Sequence, residues 1–218
     1  MRGFIQEEQI IPFLKDGLTL MVGGFLANGS PEELISIVIE SNVKDLTIVC
    51  NDGGFVVKGC GRVIALGRVK KLIASHIGTN PEVGRLMNEG SLEVELVPQG
   101  TLAERIRAHG AGLGGILTPT GLKTVVDKGK QIITLNGIEY LLEEPIKADI
   151  ALLGGAIGDE FGNLRYRGTM RNFNPIMAMA ADLTIAEVSK VEKELDPEMV
   201  ITPHPLVDYI LVGGHHHG

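Results

Sequence analysis

Three predicted strands in this 218-residue sequence each end in an uncharged hydrogen-bond donor beside glycine. Gly23-Gly24 follows Leu18 to Val22, Asn51-Asp52-Gly53-Gly54 follows Leu46 to Cys50, and Pro98-Gln99-Gly100-Thr101 follows Glu93 to Val97. A glycine pair lets a ligand come close to the backbone and leaves amide N–H groups free to bind it. A carboxamide such as that of Asn51 or Gln99 can donate to a developing oxyanion without carrying charge. Together these donors describe a site for an anionic or carbonyl-rich ligand. No nucleophile stands among them. Glu32, Glu33 and Glu104 fall in the first turns of predicted helices, where the helix dipole accounts for them. Asp52 reads as a turn residue, and Glu143 and Glu144 flank a predicted hairpin.

Other motifs carry less. Gly110-Ala111-Gly112-Leu113-Gly114-Gly115 spells a dinucleotide fingerprint, but it follows a helix instead of joining a strand to one. His76, His109 and His204 are scattered, and with only Cys50 and Cys60 there is no CxxC pair, so no metal centre is expected. Both cysteines read as reduced, buried thiols. Arg62, Arg68, Lys70 and Lys71 read as a solvated basic face.

The elements that must position the donors alternate. Leu18 to Val22 is a predicted strand, and Ser30-Pro31-Glu32-Glu33 then reads as a full helix start, with Ser30 as N-cap, Pro31 at the first helical position and Glu33 closing a capping box. Leu34, Ile35, Val38 and Ile39 supply its inward face. Strands follow at Leu46 to Cys50, Leu72 to Ser75 and Glu93 to Val97, with a helix at Pro81 to Asn88. Thr101 to Glu104 reads as a second capping box, opening a helix to about His109. Asn136-Gly137 between Gln131–Leu135 and Ile138–Leu142 predicts a hairpin, because Asn-Gly suits the positive φ angles of a type I′ turn. A strand at Ile150 to Leu153, a helix at Pro175 to Ala181 and a strand at Leu183 to Val188 complete the pattern. The fold class is α/β: an open α/β/α layered, mostly parallel sheet with a small antiparallel hairpin insertion.

Composition narrows the function classes. Hydrophobic residues at 44% and charged ones at 22% are those of a soluble globular protein. The net charge of −7 and 4% aromatics argue against nucleic-acid binding. The longest apolar runs, Leu20 to Ala27 and Ile150 to Ile157, fall well short of the ~20 residues of a membrane helix. The opening MRGFIQEEQI lacks the apolar core of a secretory signal, so the expected location is the cytoplasm. Residues 1–212 are expected to form one domain, and the Gly/His tail at 213–218 reads as a tag remnant or disordered end.

Asp16 to Pro31 (DGLTLMVGGFLANGSP) resembles the first signature of the family I, 3-oxoacid type CoA-transferases. The resemblance continues through CNDGGF (50–55), IASHIGTNPE (73–82), VPQGTLAERIRAHGAGLGGILTPTG (97–121), EYLLEEPIKADIALL (139–153) and RNFNP (171–175), covering about residues 5 to 212. It is strongest with the alpha subunits of the bacterial acetate, butyrate and acetoacetate members. It implies a ping-pong transfer between acyl-CoA and short-chain carboxylic acids, through a glutamyl-CoA thioester, with coenzyme A as substrate and no metal or redox cofactor. In the family the glutamate lies in a Ser-Glu-Asn-Gly motif of a beta subunit, and that string is absent here. The implied assembly is a heterotetramer or larger, with this chain supplying half of the active site. The resemblance assigns Asn51 as an oxyanion donor, Gln99 as a group near the bound carboxylic acid, and Gly23 and Gly24 to the pocket floor. Asp52-Gly53-Gly54-Phe55 is richer in glycine than in many relatives, which bears on the shape of the acyl pocket. The alternatives are a non-catalytic sensor of acyl or sugar-phosphate ligands on a related α/β fold, and a self-contained hydrolase using Asp52 or Glu144.

Overall fold

The computed structural model describes residues 2–213. Its strands are β1 (Gly3–Phe4), β2 (Thr19–Val22), β3 (Leu46–Val49), β4 (Val69–Ala74), β5 (Glu93–Leu96), β6 (Ile116–Thr118), β7 (Ile132–Leu135), β8 (Ile138–Glu143), β9 (Ala148–Asp159), β10 (Leu164–Arg165), β11 (Ala181–Glu192) and β12 (Tyr209–Val212). The helices are α1 (Glu7–Ile10), α2 (Glu32–Glu40), α3 (Gly61–Ala65), α4 (Pro81–Asn88), α5 (Gln99–Gly110) and α6 (Asn174–Met177). The main sheet runs β1-β12-β11-β9-β2-β3-β4-β5 with parallel neighbours throughout, and the short β10 pairs antiparallel with β9.

Alternate residues of each central strand enter opposite layers of core, as a sheet buried on both faces requires. Leu20 and Val22 of β2 pack with Ile48, Ile150 and Leu152 against Leu34, Ile35 and Val38 of α2. Met21 packs on the other face with Val49, Ala151 and Leu153, against Leu102 and Ile106 of α5 and Met177 of α6. The layering is therefore α/β/α, and the expected hairpin insertion is a separate antiparallel sheet, β6-β8-β7. Its turn has Asn136 at φ 50° and Gly137 at φ 77°, the positive values that the Asn-Gly pair predicts. The Gly110 to Gly115 string leaves α5 and leads into β6, so it is a connection to this insertion. The tail lies outside the described residues from Gly214 onward.

Both predicted helix caps are corrected. Helix α2 starts at Glu32 with Pro31 at the cap, and Ser30 Oγ donates to Gly23 O at 3.2 Å. The open N–H groups of Glu33 and Leu34 go to Glu187 Oε2 on β11, at 2.9 and 3.1 Å. Helix α5 starts at Gln99, and Thr101 lies inside it with a buried hydroxyl that has no hydrogen-bond partner. Helix α4 forms as expected, and Asn80 caps it by accepting the Glu82 N–H at 3.1 Å. The predicted helix at 175–181 shrinks to α6, because Ala181 already pairs with Ala148 as β11 begins. The four-residue strand expected at 150–153 is instead twelve residues long. It runs on through Gly154, where a Cβ would stand 2.2 Å from Gly29 O, so the glycine marks a close backbone approach and not the end of the strand.

Candidate active site

Parallel pairing of β2, β3, β4 and β5 brings their carboxyl ends to one edge of the sheet. Gly23, Asn51, Ser75 and Gln99 are the residues that follow or closely follow those ends. Asn51 is 2% exposed. Its backbone still belongs to the sheet, accepting the Ser75 N–H at 2.9 Å and the Ser75 hydroxyl at 2.7 Å. Its carboxamide is held at both ends. Nδ2 donates to Asp52 Oδ2 at 2.7 Å, and Oδ1 accepts from Gln99 Nε2 at 2.6 Å. The structure thus joins two of the predicted site residues directly.

Asp52, expected as a turn residue, is 4% exposed and organises the surrounding loops. Oδ2 also accepts the Leu26 N–H at 2.9 Å, and Oδ1 accepts the Gly54 N–H at 2.9 Å. The Leu26 bond reaches into a tight turn in which Phe25 and Asn28 exchange both backbone hydrogen bonds. Leu26 and Ala27 sit there at φ 47° and 58°, left-handed values that neither side chain favours and that the surroundings must hold. Phe55 and Lys58 make a second turn with the same reciprocal bonds, but without left-handed residues at Val56 and Val57, so the strings Gly23-Gly24-Phe25 and Gly53-Gly54-Phe55 lead into turns of different backbone conformation.

The glycine pair does not leave its N–H groups free. Gly23 N–H donates to Leu152 O at 2.9 Å and Gly24 N–H to Asn172 Oδ1 at 3.3 Å. Close packing is what requires glycine. A Cβ on Gly23 would lie 1.7 Å from Asn174 Oδ1, and Gly24, at φ +122°, would meet Ser30 Oγ at 2.3 Å. Asn172 and Asn174 are the residues that the sequence reading gave no role. Asn174 accepts the Gly154 N–H at 3.0 Å and donates to Gly29 O at 3.1 Å and Met170 O at 2.9 Å, while Asn172 donates to Asn28 O at 2.9 Å. They fasten the 23–30 loop to the segment before α6. Their only signal was position within Arg171-Asn172-Phe173-Asn174-Pro175.

Beyond this loop lies a cavity of about 580 Å³ whose lining includes Asn28, Lys58, Arg167, Thr169, Glu187 and Ser189. Gly23 and Gly24 are not among the residues that line it. Burial pushes the Glu187 carboxyl up to about 7, the Leu34 and Glu33 N–H groups working against that shift and the charges of Glu33 and Glu32 adding to it. On the inner side of the site, Cys50 and Cys60 face each other as free thiols with sulfurs 3.5 Å apart. The neighbouring thiol and burial hold Cys50 well above its ordinary range.

The remaining candidates are dispersed. Arg62 pairs with Glu32 at 3.2 Å, Arg68 binds Ile39 O and Asn42, and Lys71 pairs with Glu93 and Glu95 at 2.9 and 3.0 Å. Most of the expected solvated face is therefore engaged in holding elements together. Glu143 of the insertion is buried against Lys130 at 2.5 Å and Arg105 of α5 at 3.8 Å. His76 follows β4, His109 lies in α5 and His204 precedes β12, and among the described residues no three potential metal ligands gather. No helix among those residues is long and apolar enough to cross a membrane.

The sequence profile of the coenzyme A transferase family matches residues 5–213. An acetate CoA-transferase subunit alpha of Escherichia coli is 52% identical over 202 residues, covering 92% of each chain. An acetoacetyl-CoA:acetate/butyrate CoA transferase alpha subunit of Clostridium acetobutylicum is 51% identical over 209 residues, covering 95% of this chain and 96% of that one. Among solved structures, the glutaconate coenzyme A-transferase of Acidaminococcus fermentans superposes with a TM-score of 0.86 at 17% identity, covering 98% of this chain and 76% of that one. An acyl-CoA transferase of Escherichia coli O157:H7, solved as a thioester complex with CoA, gives 0.84 at 22% identity over 97% of this chain, which spans 47% of that longer one. These two likenesses concern the fold, which agrees with the sheet and layers described above. The extent of the profile match and the identity to full-length relatives settle the membership: the chain belongs to the coenzyme A transferase family.

Proposed function

We propose that this chain is the alpha subunit of a short-chain acyl-CoA:carboxylate CoA-transferase of the acetate, butyrate and acetoacetate type, working in the cytoplasm with a beta subunit that brings the nucleophilic glutamate. The carrying observation is the 2.6 Å hydrogen bond between Gln99 Nε2 and Asn51 Oδ1, which sets two neutral amides side by side at one sheet edge. Each carboxamide nitrogen has two N–H groups, so each keeps one beyond the bond it makes here.

The chemistry these groups would serve is acyl transfer without metal or redox cofactor. The partner's glutamate carboxylate adds to the thioester carbonyl, and the carbonyl oxygen becomes an oxyanion. Collapse breaks the C–S bond, expels CoA thiolate and leaves a mixed anhydride. The thiolate adds to the glutamyl carbonyl, releasing the first carboxylate and forming the glutamyl-CoA thioester. An incoming carboxylate runs the sequence in reverse. Every addition puts negative charge on an oxygen, where a fixed neutral donor such as Asn51 Nδ2 stabilises the transition state more than the ground state. Gln99 can orient the free acid without neutralising the carboxylate that must attack.

Two features bear on the rival readings. The Asp52 carboxylate is occupied by three N–H donors, which argues against it as a hydrolytic nucleophile. Glu144 is exposed just past the end of β8, so its carboxylate lacks the enclosed setting of a nucleophile shielded from bulk water. The test is exchange between acetoacetyl-CoA and acetate, with the chain alone and with its co-expressed beta partner. Exchange only in the pair supports the proposal. Turnover by the chain alone overturns the half-site reading, and ligand binding without exchange in either arm, across a panel of short-chain acids, favours the sensor.

A further inference from the structure

Asp52 touches no reacting group in the scheme above, yet three hydrogen bonds converge on its side chain. An ionised carboxylate accepts hydrogen bonds and cannot donate them. Both of its oxygens are taken up by donors: Leu26 N at 2.9 Å and Asn51 Nδ2 at 2.7 Å on one, Gly54 N at 2.9 Å on the other. A carboxamide, by contrast, has two ends of nearly equal shape and opposite hydrogen-bonding sense. The acceptor-only neighbour therefore decides which end of Asn51 faces it. With Nδ2 turned to Asp52, Oδ1 must face Gln99, and Gln99 must answer with Nε2, as the 2.6 Å bond records.

We propose that Asp52 is a positioning residue that sets the polarity of the Asn51–Gln99 amide pair, so that Asn51 presents an N–H and not a carbonyl to the substrate oxygen. The proposal rests on the transferase reading of the site and adds to it the residue that keeps the oxyanion donor the right way round. The local structure supports the assignment. Asp52 is buried, its backbone pairs with His76 in a bridge that prolongs the β3–β4 pairing, and Gly53 N–H donates to His76 O at 3.1 Å. The carboxylate cannot swing away without abandoning donors on two loops. If the amides reversed, Asn51 Oδ1 would face Asp52 Oδ2 at hydrogen-bond distance with no proton between them, a repulsive contact in a buried setting.

Asp52→Asn keeps the shape and weakens the polarity rule. Each sense of a carboxamide at 52 sets its NH2 against one backbone N–H, of Leu26 or of Gly54. The sense that turns a donor to Asn51 therefore becomes comparable in energy with the other. In the complex with the beta partner, exchange turnover should fall by about 10²-fold, the scale of losing one oxyanion donor, with KM for the acyl-CoA little changed. Joined to Asn51→Ala, the same substitution should add less than about threefold, since it acts through the side chain already removed. Losses that multiply in the double variant overturn the proposal and leave Asp52 a loop brace acting through Leu26 and Gly54. A second readout does not depend on activity. With 15N placed selectively in glutamine, the Gln99 side-chain N–H signals should move in Asp52→Asn, although Gln99 is bonded to Asn51 and not to Asp52. An unmoved Gln99 signal also overturns the proposal. Should wild-type complex show no exchange at all, the transferase reading fails, while the Gln99 signal still decides whether Asp52 orients the amides. If Asp52→Asn does not fold, Asp52→Ser, whose hydroxyl can donate or accept, replaces it in both measurements with the same outcomes.

Discussion

Gln99 reaches Asn51 across an intervening strand: one follows β5, the other follows β3, β4 lies between them, and the two carboxamides meet at 2.6 Å. Ser75, which follows β4, closes the gap by donating to Asn51 O at 2.7 Å. The bond fixes both carboxamides, which as free amides would sample many rotamers. It also ties the two residues energetically, so neither substitution is a purely local change.

Asn51→Ala should lower exchange turnover by about 10²–10³-fold, the range for removing one oxyanion donor, and should weaken CoA binding far less. Steady-state kinetics on the complex with its beta partner check this. Equal losses in turnover and in CoA affinity would remove the oxyanion role.

Gln99→Ala should act chiefly on the free acid, raising its apparent KM, since the amide is assigned to orienting that carboxylate. A smaller fall in turnover should accompany it, because Asn51 Oδ1 loses its fixed donor. An unchanged KM for acetate in the exchange assay sinks the assignment.

Gly23→Ala tests the packing argument in place of the ligand argument. Its Cβ would stand 1.7 Å from Asn174 Oδ1, a contact with a side chain that is itself bonded to Gly154, Gly29 and Met170. Overpacking of this kind costs about 1–3 kcal/mol, read from denaturant midpoints of the isolated chain or the complex. In an Asn174→Ala background the further cost of Gly23→Ala should shrink, because the clashing atom has gone. Additive costs would mean that the glycine is needed for some other reason.

The location of the site was legible because parallel strands end together: predicted strands closing on Gly23, Asn51 and Gln99 had to deliver them to one edge. The hairpin was legible too, since Asn136-Gly137 carries its own turn geometry. The cap of α2 was not. Ser30-Pro31-Glu32-Glu33 satisfies every local rule for a helix start, but Ser30 is drawn to Gly23 O by the tight loop, and the group that takes the helix N–H bonds, Glu187, is 154 residues from Glu33 in sequence. Local pattern has no access to such a partner. Asn172 and Asn174 were missed for the same reason, as their carbonyl partners at Asn28 and Gly29 are brought near only by β9 lying beside β2.

Glu187 supplies a pH dependence with a definite sign. Its carboxyl is pushed up to about 7 in the folded chain, first by burial, against an ordinary 4.5. Between those values the folded state binds the proton more readily than the unfolded one, so this group's contribution to stability falls as pH rises from about 4.5 to about 7 and is level above that. Glu187→Gln keeps an oxygen for the Glu33 and Leu34 N–H groups and cannot ionise. Relative to wild type, the variant should gain thermal stability as pH rises across that window, with the difference in Tm widening up to about 7 and then holding. A Tm difference independent of pH would show that the carboxyl titrates in its ordinary range, and that the N–H bonds of the α2 first turn outweigh burial in setting its charge.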